Sequence, residues 1–359
     1  MLTKTKLVSA VALAVGTSGL VISAAHADAV FFHNLAGSPT VASIITVMNT
    51  SANNFDPLGA PIVQGAGDDG NLHYRFYYKQ PSTDPELDTN LLPCQEFNEF
   101  LPTSRNDVQT IDLSGYFGEE VGGINTGVMF NDPSVNNRWK TGQTYAMGAA
   151  VVPYRGYLIV ENADVADGTF SIAGESFVME YGVGATWGYH SYMIDGDDST
   201  PNYADYLPFA SASPSIVSIM PIDDIRTSFL ITVVDEDQLP FGEFDEETTI
   251  SYGNADNPIG IWDRDERPIS GAQEQTVVCI GSIVAQDLLP TASQNRLADG
   301  GWANLYNYRE ERDRNGNVFN PPVITEPSGV IVKLEFNLGD TIDGQPVSGT
   351  FNNALLLRP

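Results

Sequence analysis

The sequence is poor in the residues and motifs that usually indicate catalysis. It has two cysteines and four histidines in 359 residues. They form no Cys-x-x-Cys, His-x-His or Glu-x-x-His pair, so no zinc site with local ligand pairs is predicted. A Gly-x-Ser-x-Gly elbow, a Walker loop and a dinucleotide-binding glycine motif are also missing. Acidic residues are so numerous, 46 in all, that no catalytic carboxylate pair stands out. A non-catalytic role is therefore favoured.

Long apolar runs are missing after residue 27. Residues 1–27 combine Lys4 and Lys6, an apolar run over residues 7–22 and the small-x-small site Ala25-His26-Ala27, which together are typical of a signal peptide. No later stretch reaches 18 apolar residues, so no transmembrane segment is expected after processing. We expect an extracellular or cell-surface protein, with a periplasmic location as the alternative.

Basic side chains are scarce. Processing would remove two of the 17 basic side chains and none of the 46 acidic ones, which leaves a net charge of −31. This charge repels phosphate groups, so nucleic acid is not an expected partner. It attracts divalent cations, although adaptation to a salty medium explains it equally well. Asp195, Asp197 and Asp198 crowd into one turn and are candidate Ca²⁺ ligands, with a solvated linker as the alternative.

Strand signals dominate the rest of the chain. Many short β-branched and aromatic runs lie between glycines and prolines, and most are apolar rather than strictly alternating. This pattern predicts an all-β fold whose strands are covered on both faces, as in β-sandwiches. The helical candidates are short, at residues 96–101 and 297–308.

One segment occurs twice. Ser-Pro-Thr-Val-Ala-Ser-Ile-Ile at residues 38–45 returns 175 residues later as Ser-Pro-Ser-Ile-Val-Ser-Ile-Met. In both copies a cysteine, a Leu-Pro-Thr triplet and a glycine-led strand follow in the same order. We therefore predict an internal duplication, with residues 28–198 and 199–359 as two tandem β-sandwich domains.

The duplication constrains the cysteines. Cys94 and Cys279 occupy corresponding positions, so neither domain can close a disulfide by itself. A bond between them would join the domains and stabilise the protein by roughly 4–5 kcal/mol. Bridges to other subunits and two buried free thiols are the alternatives.

Three segments resemble a known family. They are Thr-Val-Ala-Ser-Ile-Ile-Thr-Val-x-Asn-Thr at residues 40–50, the strand at residues 72–79 and Asn-Asp-Val-Gln-Thr-Ile-Asp at residues 106–112. Together they resemble immunoglobulin-like β-sandwich modules of secreted bacterial surface proteins. The resemblance implies two immunoglobulin-like domains and a surface setting, and it carries over no functional residue.

Two functions are compatible with these features. The first is an exported, non-enzymatic structural or adhesive cell-surface protein that assembles with itself, assisted by calcium, or binds a surface glycan. The alternative is a secreted carbohydrate-binding or carbohydrate-cleaving protein. Trp187, Tyr189 and Tyr192 are its candidate sugar-contact residues, and core packing is the other role open to these rings.

Overall fold

A computed structural model describes most of the strands and several of their connections. The described residues are 29–49, 70–103, 107–117, 120–121, 124–125, 127–130, 152–162, 172–180, 185–194, 214–233, 247–253, 259–310, 324–325, 329–337, 341–342, 345–346 and 352–357. We call residues 29–194 the first half and residues 214–357 the second half. The predicted domain boundary near residue 198 and the predicted signal peptide lie outside the described residues.

The first half is built from short antiparallel strands. They are β1 (Ala29–Gly37), β2 (Val41–Asn49), β3 (Gly70–Lys79), β4 (Gln95–Thr103), β5 (Val108–Asp112), β6 (Glu120–Val121), β7 (Ile124–Asn125), β8 (Val128–Phe130), β9 (Tyr154–Asn162), β10 (Ile172–Glu180), β11 (Ala185–His190) and β12 (Tyr192–Ile194). Sheet A has the strand order β12-β1-β9-β3-β4, and sheet B has the order β11-β10-β2-β5-β8. β6 and β7 form a separate two-stranded ribbon.

The second half is also built from short antiparallel strands. Its strands are β13 (Ser215–Ile219), β14 (Ile225–Val233), β15 (Glu247–Ser251), β16 (Ile261–Asp263), β17 (Gln275–Val278), β18 (Ile280–Val284), β19 (Gly301–Glu310), β20 (Ile324–Thr325), β21 (Gly329–Asn337), β22 (Thr341–Ile342), β23 (Gln345–Pro346) and β24 (Asn352–Leu357). Sheet C has the order β13-β19-β15-β17, with β16 and β20 also paired to β19, and sheet D has the order β18-β14-β21-β24. β22 and β23 pair separately. One short helix, α1 (Thr291–Gln294), precedes β19.

Each half encloses its own core, and the predicted all-β fold is confirmed. Between sheets A and B, side chains such as Phe32 and Tyr74 meet Ile45 and Ile111. Between sheets C and D, Val217 and its neighbours meet Phe229 and Ile331 in the same way. In the described residues no strand of one half joins a sheet of the other. The result is two β-sandwich-like stacks.

The two central strands of sheet D, β14 and β21, are buried on both faces. Side chains alternate across a strand, and Phe229 and Ile231 point into the second-half core. The intervening Leu230, together with Val332 and Leu334 of β21, packs against Val178 and Trp187 of the first half. Residues 227–233 of β14 are therefore all buried. This burial explains why the sequence of the strand is mostly apolar instead of alternating between apolar and polar residues.

Both short helical predictions were wrong. Residues 96–101 lie in β4, which pairs with β3 from Gly70 to Tyr78. Residues 301–308 lie in β19, after a 3₁₀ turn at Asn295–Leu297. Six to twelve residues are too few to separate a period of 3.6 from a period of 2, and strand pairing with distant partners determined the outcome.

The two copies of the repeated segment have different surroundings. β2 lies between β10 and β5, whereas β13 pairs only with β19 among the described strands. The glycine-led strands agree better, because β9 and β21 are each flanked by two antiparallel neighbours. The duplication stays a prediction. In the part of the chain that is described, no helix is long and apolar enough to cross a membrane.

Candidate functional site

A disulfide between Cys94 and Cys279 joins the two halves. This bond was one of the three alternatives that the sequence left open. Cys94 precedes β4, and Cys279 lies between β17 and β18 with a φ of 58°. Their Cα atoms are 5.9 Å apart and both residues are buried. The bond lies in an apolar cluster shared by the halves, in which Phe31 and Tyr77 meet Ile280 and Val330.

Lys79 makes a second tie beside the disulfide. Lys79 is only 3% exposed. Its Nζ donates to the carbonyl oxygens of Asn90 (3.1 Å) and Leu92 (3.2 Å) in the first half, and to that of Val278 (2.9 Å) in the second. Burial, with the nearby Arg155 cation, lowers the pKa of Lys79 to about 7, while the three carbonyls favour the ammonium form.

Asn90 makes a third tie, from a short turn. Residues 80–94, which we call the clasp, connect β3 to β4. Asp88 caps the 3₁₀ turn Thr89–Leu91 by accepting from the Asn90 amide at 2.8 Å. The Asn90 side chain then imitates a strand partner: its Oδ1 accepts from the Ser282 N–H, and its Nδ2 donates to the Ser282 carbonyl, both at 3.1 Å.

A polar cleft of about 450 Å³ opens between the clasp and the second half. The clasp contributes Asp88 and Asn90. The opposite wall is a set of amide, hydroxyl and carboxylate side chains, with Ile283 and Leu289 buried behind them: Gln273, Gln275, Ser282, Asp287, Thr291 and Gln294. Among the described residues, no cationic side chain lines the cleft. The arrangement suits a ligand that exchanges hydrogen bonds and carries no negative charge.

An uncharged face is exposed on the outside of sheet C. Ile216 is 76% exposed and Trp302 is 38% exposed. Trp262 is the cross-strand partner of Trp302, and their rings stack at 4.1 Å with 12° between the planes. Asn304 lies opposite Ile216 on the neighbouring strand. We call these four residues the tryptophan face.

A buried ionic group lies on the outer face of sheet A. The Glu161 carboxylate forms an ion pair with Arg75 and contacts His73 Nδ1 at 2.8 Å. His73 also stacks on Phe100 at 4.3 Å and contacts Asn98 through Nε2. Every strong charge in this group has a partner, and no nucleophilic side chain is among these contacts. The group therefore links side chains of β3, β4 and β9 on this face of the sheet.

The predicted sugar-contact residues do not form one exposed platform. Trp187 is 8% exposed and stacks on Tyr189, which stacks in turn on His33 at 4.1 Å. Tyr192 packs, half-buried, against the separate cluster around the disulfide. The reason is that both clusters also contain residues of the second half, so these rings lie at the contact between the halves. A sugar contact by these rings stays a prediction.

The predicted calcium ligands Asp195, Asp197 and Asp198 lie outside the described residues. Within the described residues, no three His, Cys, Asp or Glu side chains are grouped closely enough to hold a metal ion.

Sequence reasoning missed four residues that the structure brings to these places: Lys79, Asn90, Trp262 and Trp302. The sequence contains no clear signal for Lys79, because its strand also carries His73 and Arg75. The tryptophans are 40 residues apart and share no motif. Only the pairing of β16 with β19 brings them together.

Comparisons with known proteins give no relative: no family model matches the chain, and neither the curated proteins nor the solved structures contain a significant match.

Proposed function

We propose that this chain is an exported, non-enzymatic structural or adhesive protein of a cell surface, which assembles with copies of itself. The tryptophan face carries the proposal. On a chain with a formal net charge of −29, an exposed isoleucine and a stacked tryptophan pair form an uncharged area beside an edge strand. Apolar patches of this kind mark interaction sites, and an edge strand without charged residues can accept a further strand.

The link between the halves supports a structural role, because three separate connections hold the halves together. The disulfide, Lys79 and Asn90 all join the clasp region to residues 278–282, where β17 of sheet C ends and β18 of sheet D begins. A disulfide also fits an oxidising environment outside the cytoplasm. The exported location itself rests on the predicted signal peptide.

Charge explains why contact between copies would concentrate at one face. Lys79 and Lys333 are buried, and Lys333 is bound to Glu335 and Ser218. The cations on the described surface are therefore arginines such as Arg226, Arg264 and Arg267, and the acidic residues of the chain outnumber its basic residues by 46 to 17. Copies repel one another except where charge is absent or cations screen it, which is the role we assign to calcium at Asp195, Asp197 and Asp198.

The test is a charge placed on the tryptophan face. Ile216→Glu should abolish self-association in sedimentation velocity, measured with and without Ca²⁺, and should leave the melting temperature unchanged. Phe177→Glu is the matched control, because Phe177 is an exposed apolar residue on sheet B. A wild-type protein that stays monomeric in both conditions, or equal effects of the two variants, would contradict the proposal.

Carbohydrate binding is the second candidate function. The polar cleft beside the clasp favours it, because the cleft's amides and carboxylates match the hydrogen-bonding groups of sugars.

The proposal also includes a specific domain architecture. We infer two tandem immunoglobulin-like sandwiches derived from one duplicated unit. The separate sheets of each half and the similar positions of β9 and β21 support it. The different positions of β2 and β13 must then have arisen after the duplication.

A further inference from the structure

The polar cleft between the clasp and the second half is an open groove in which two of the lining side chains, Asn90 and Gln294, are fixed by hydrogen bonds to the protein. Asn90 is held by both of its side-chain hydrogen bonds to Ser282. Gln294 is held on the other side, where its Nε2 donates to the carbonyls of Gln286 and Leu289 at 3.0 and 3.2 Å. Because these two side chains are already fixed, a ligand that contacts them removes less conformational entropy on binding. The volume of about 450 Å³ falls within the range of small-molecule sites, roughly 300–1,000 Å³.

Other side chains of the cleft retain hydrogen-bonding capacity. The residues Gln273, Asp287 and Thr291 are exposed to solvent, and within the described structure their side chains make no hydrogen bond to the protein. Gln273 supplies an amide donor and acceptor, Asp287 a carboxylate acceptor, and Thr291 a hydroxyl. Adjacent hydroxyls on a pyranose ring need such a mixture of donors and acceptors.

The composition of the cleft excludes several ligand classes. Asp88 and Asp287 are negatively charged, and no lysine or arginine of the described part of the chain lines the cleft, so phosphates, sulfates and acidic sugars would be repelled. An acyl chain or a flat aromatic would find little apolar surface, because Ile283 and Leu289 are themselves buried. Uncharged polyhydroxylated molecules and cations remain, and a titration with Ca²⁺ separates these two classes.

We propose that this cleft binds the uncharged end of a glycan. The inference rests on the second candidate function, carbohydrate binding, and it does not require assembly through the tryptophan face. The clasp closes one side of the site, so the intact link between the halves is needed to form it.

The experiment uses the processed protein on a printed array of neutral, sialylated and sulfated glycans, followed by calorimetric titration with the free disaccharides. We expect binding to neutral glycans only. Asp287→Ala should weaken it at least tenfold, with an unchanged melting temperature. Asp299→Ala, which changes an exposed carboxylate outside the cleft, should bind as the wild type does. Binding of the free disaccharide assigns the cleft to a sugar terminus, whereas binding confined to the array assigns it to a longer chain.

Three outcomes would overturn the inference. They are no binding to any neutral glycan, equal binding by the wild type and Asp287→Ala, and a Ca²⁺-dependent rise in melting temperature that Asp287→Ala removes. The last outcome would assign the cleft to a cation. Sedimentation of Asp287→Ala keeps the proposals separate, because this variant should still self-associate if the tryptophan face is the contact between copies.

Discussion

His33 is enclosed by aromatic side chains at the end of the first-half sandwich. Its ring stacks on Tyr189 at 4.1 Å and meets Phe31 edge-on at 6.2 Å. Its Nδ1 is buried and has no hydrogen-bond partner in the described structure. Burial without a counter-charge penalises the imidazolium and lowers the pKa of His33 to about 3, from an ordinary value of 6.5.

This environment predicts an acid-sensitive contribution to stability. Between pH 6.5 and pH 3 the unfolded chain binds a proton at residue 33 that the folded chain does not. The free energy of unfolding therefore falls as the pH drops below 6.5, by up to about 1.4 kcal/mol per pH unit. In urea unfolding, we expect His33→Gln to lose about 2 kcal/mol less than the wild type between pH 7 and pH 5.

The carboxylates titrate in both proteins, so the difference between the two profiles isolates residue 33. His190→Gln, which changes an exposed ring, should follow the wild type. Parallel profiles for the wild type and His33→Gln would show that the His33 ring is not buried as described.

At the scale of elements, the clasp is held by a side chain that substitutes for a strand. The Asn90 side-chain amide forms hydrogen bonds to the backbone N–H and carbonyl of Ser282 on β18, the groups with which a neighbouring strand would otherwise pair. A Cβ at Gly281 would lie 2.7 Å from Asn90 Oδ1, so glycine is required there for the clasp to approach.

Asn90→Asp should loosen the clasp without unfolding the sheets. The change keeps the acceptor for the Ser282 N–H, but it replaces the Nδ2 donor with an oxygen that repels the Ser282 carbonyl. Loss of this buried hydrogen bond should lower the free energy of unfolding by about 1–3 kcal/mol. Hydrogen–deuterium exchange should become faster in peptides covering residues 80–94, and exchange in β9 should not change.

Asn98→Asp is the control, because it makes the same change at an exposed position on β4. If residues 80–94 exchange equally in the two variants, the Asn90–Ser282 interaction does not hold the clasp.

At the scale of the whole molecule, the two halves share apolar clusters as well as a covalent bond. Phe31, Tyr77 and Ile159 meet Val278 and Ile280 around the disulfide, and a second cluster joins sheet D to β10 and β11. These contacts should keep the halves together even when the disulfide is absent.

We therefore expect the double variant Cys94→Ser, Cys279→Ser to melt at a lower temperature in one cooperative transition. The bond closes a loop with a sequence separation of 185, which corresponds to about 5 kcal/mol in the chain-entropy model. Scanning calorimetry measures both the loss and the number of transitions. Two resolved transitions would mean that the apolar clusters are too weak to couple the halves.

Several elements could be predicted from local patterns. β-branched runs such as residues 40–48 become strands because such side chains fit a pleated surface. The continuous apolar run in β14 indicated burial on both faces, and β14 is buried in that way. With only two cysteines, few pairings existed, and the interdomain disulfide was among them.

The candidate sites could not be predicted because each depends on residues from both halves or from distant strands. Trp187 and Trp302 have similar local sequences, with a glycine and small or polar neighbours, yet one is covered by sheet D and the other is exposed. Asn90 acquires its role only from Ser282, 192 residues later.

The sequence alone determined the strand-rich composition, the acidic charge and the candidate disulfide, since each follows from residue types and their short-range alternation. The tertiary structure decided which faces are covered, which strands become edges and where a cleft opens. A sheet face becomes buried only when another part of the chain packs on it. The alternation of side chains along a strand shows that a face is apolar, but it does not specify which part of the chain covers that face.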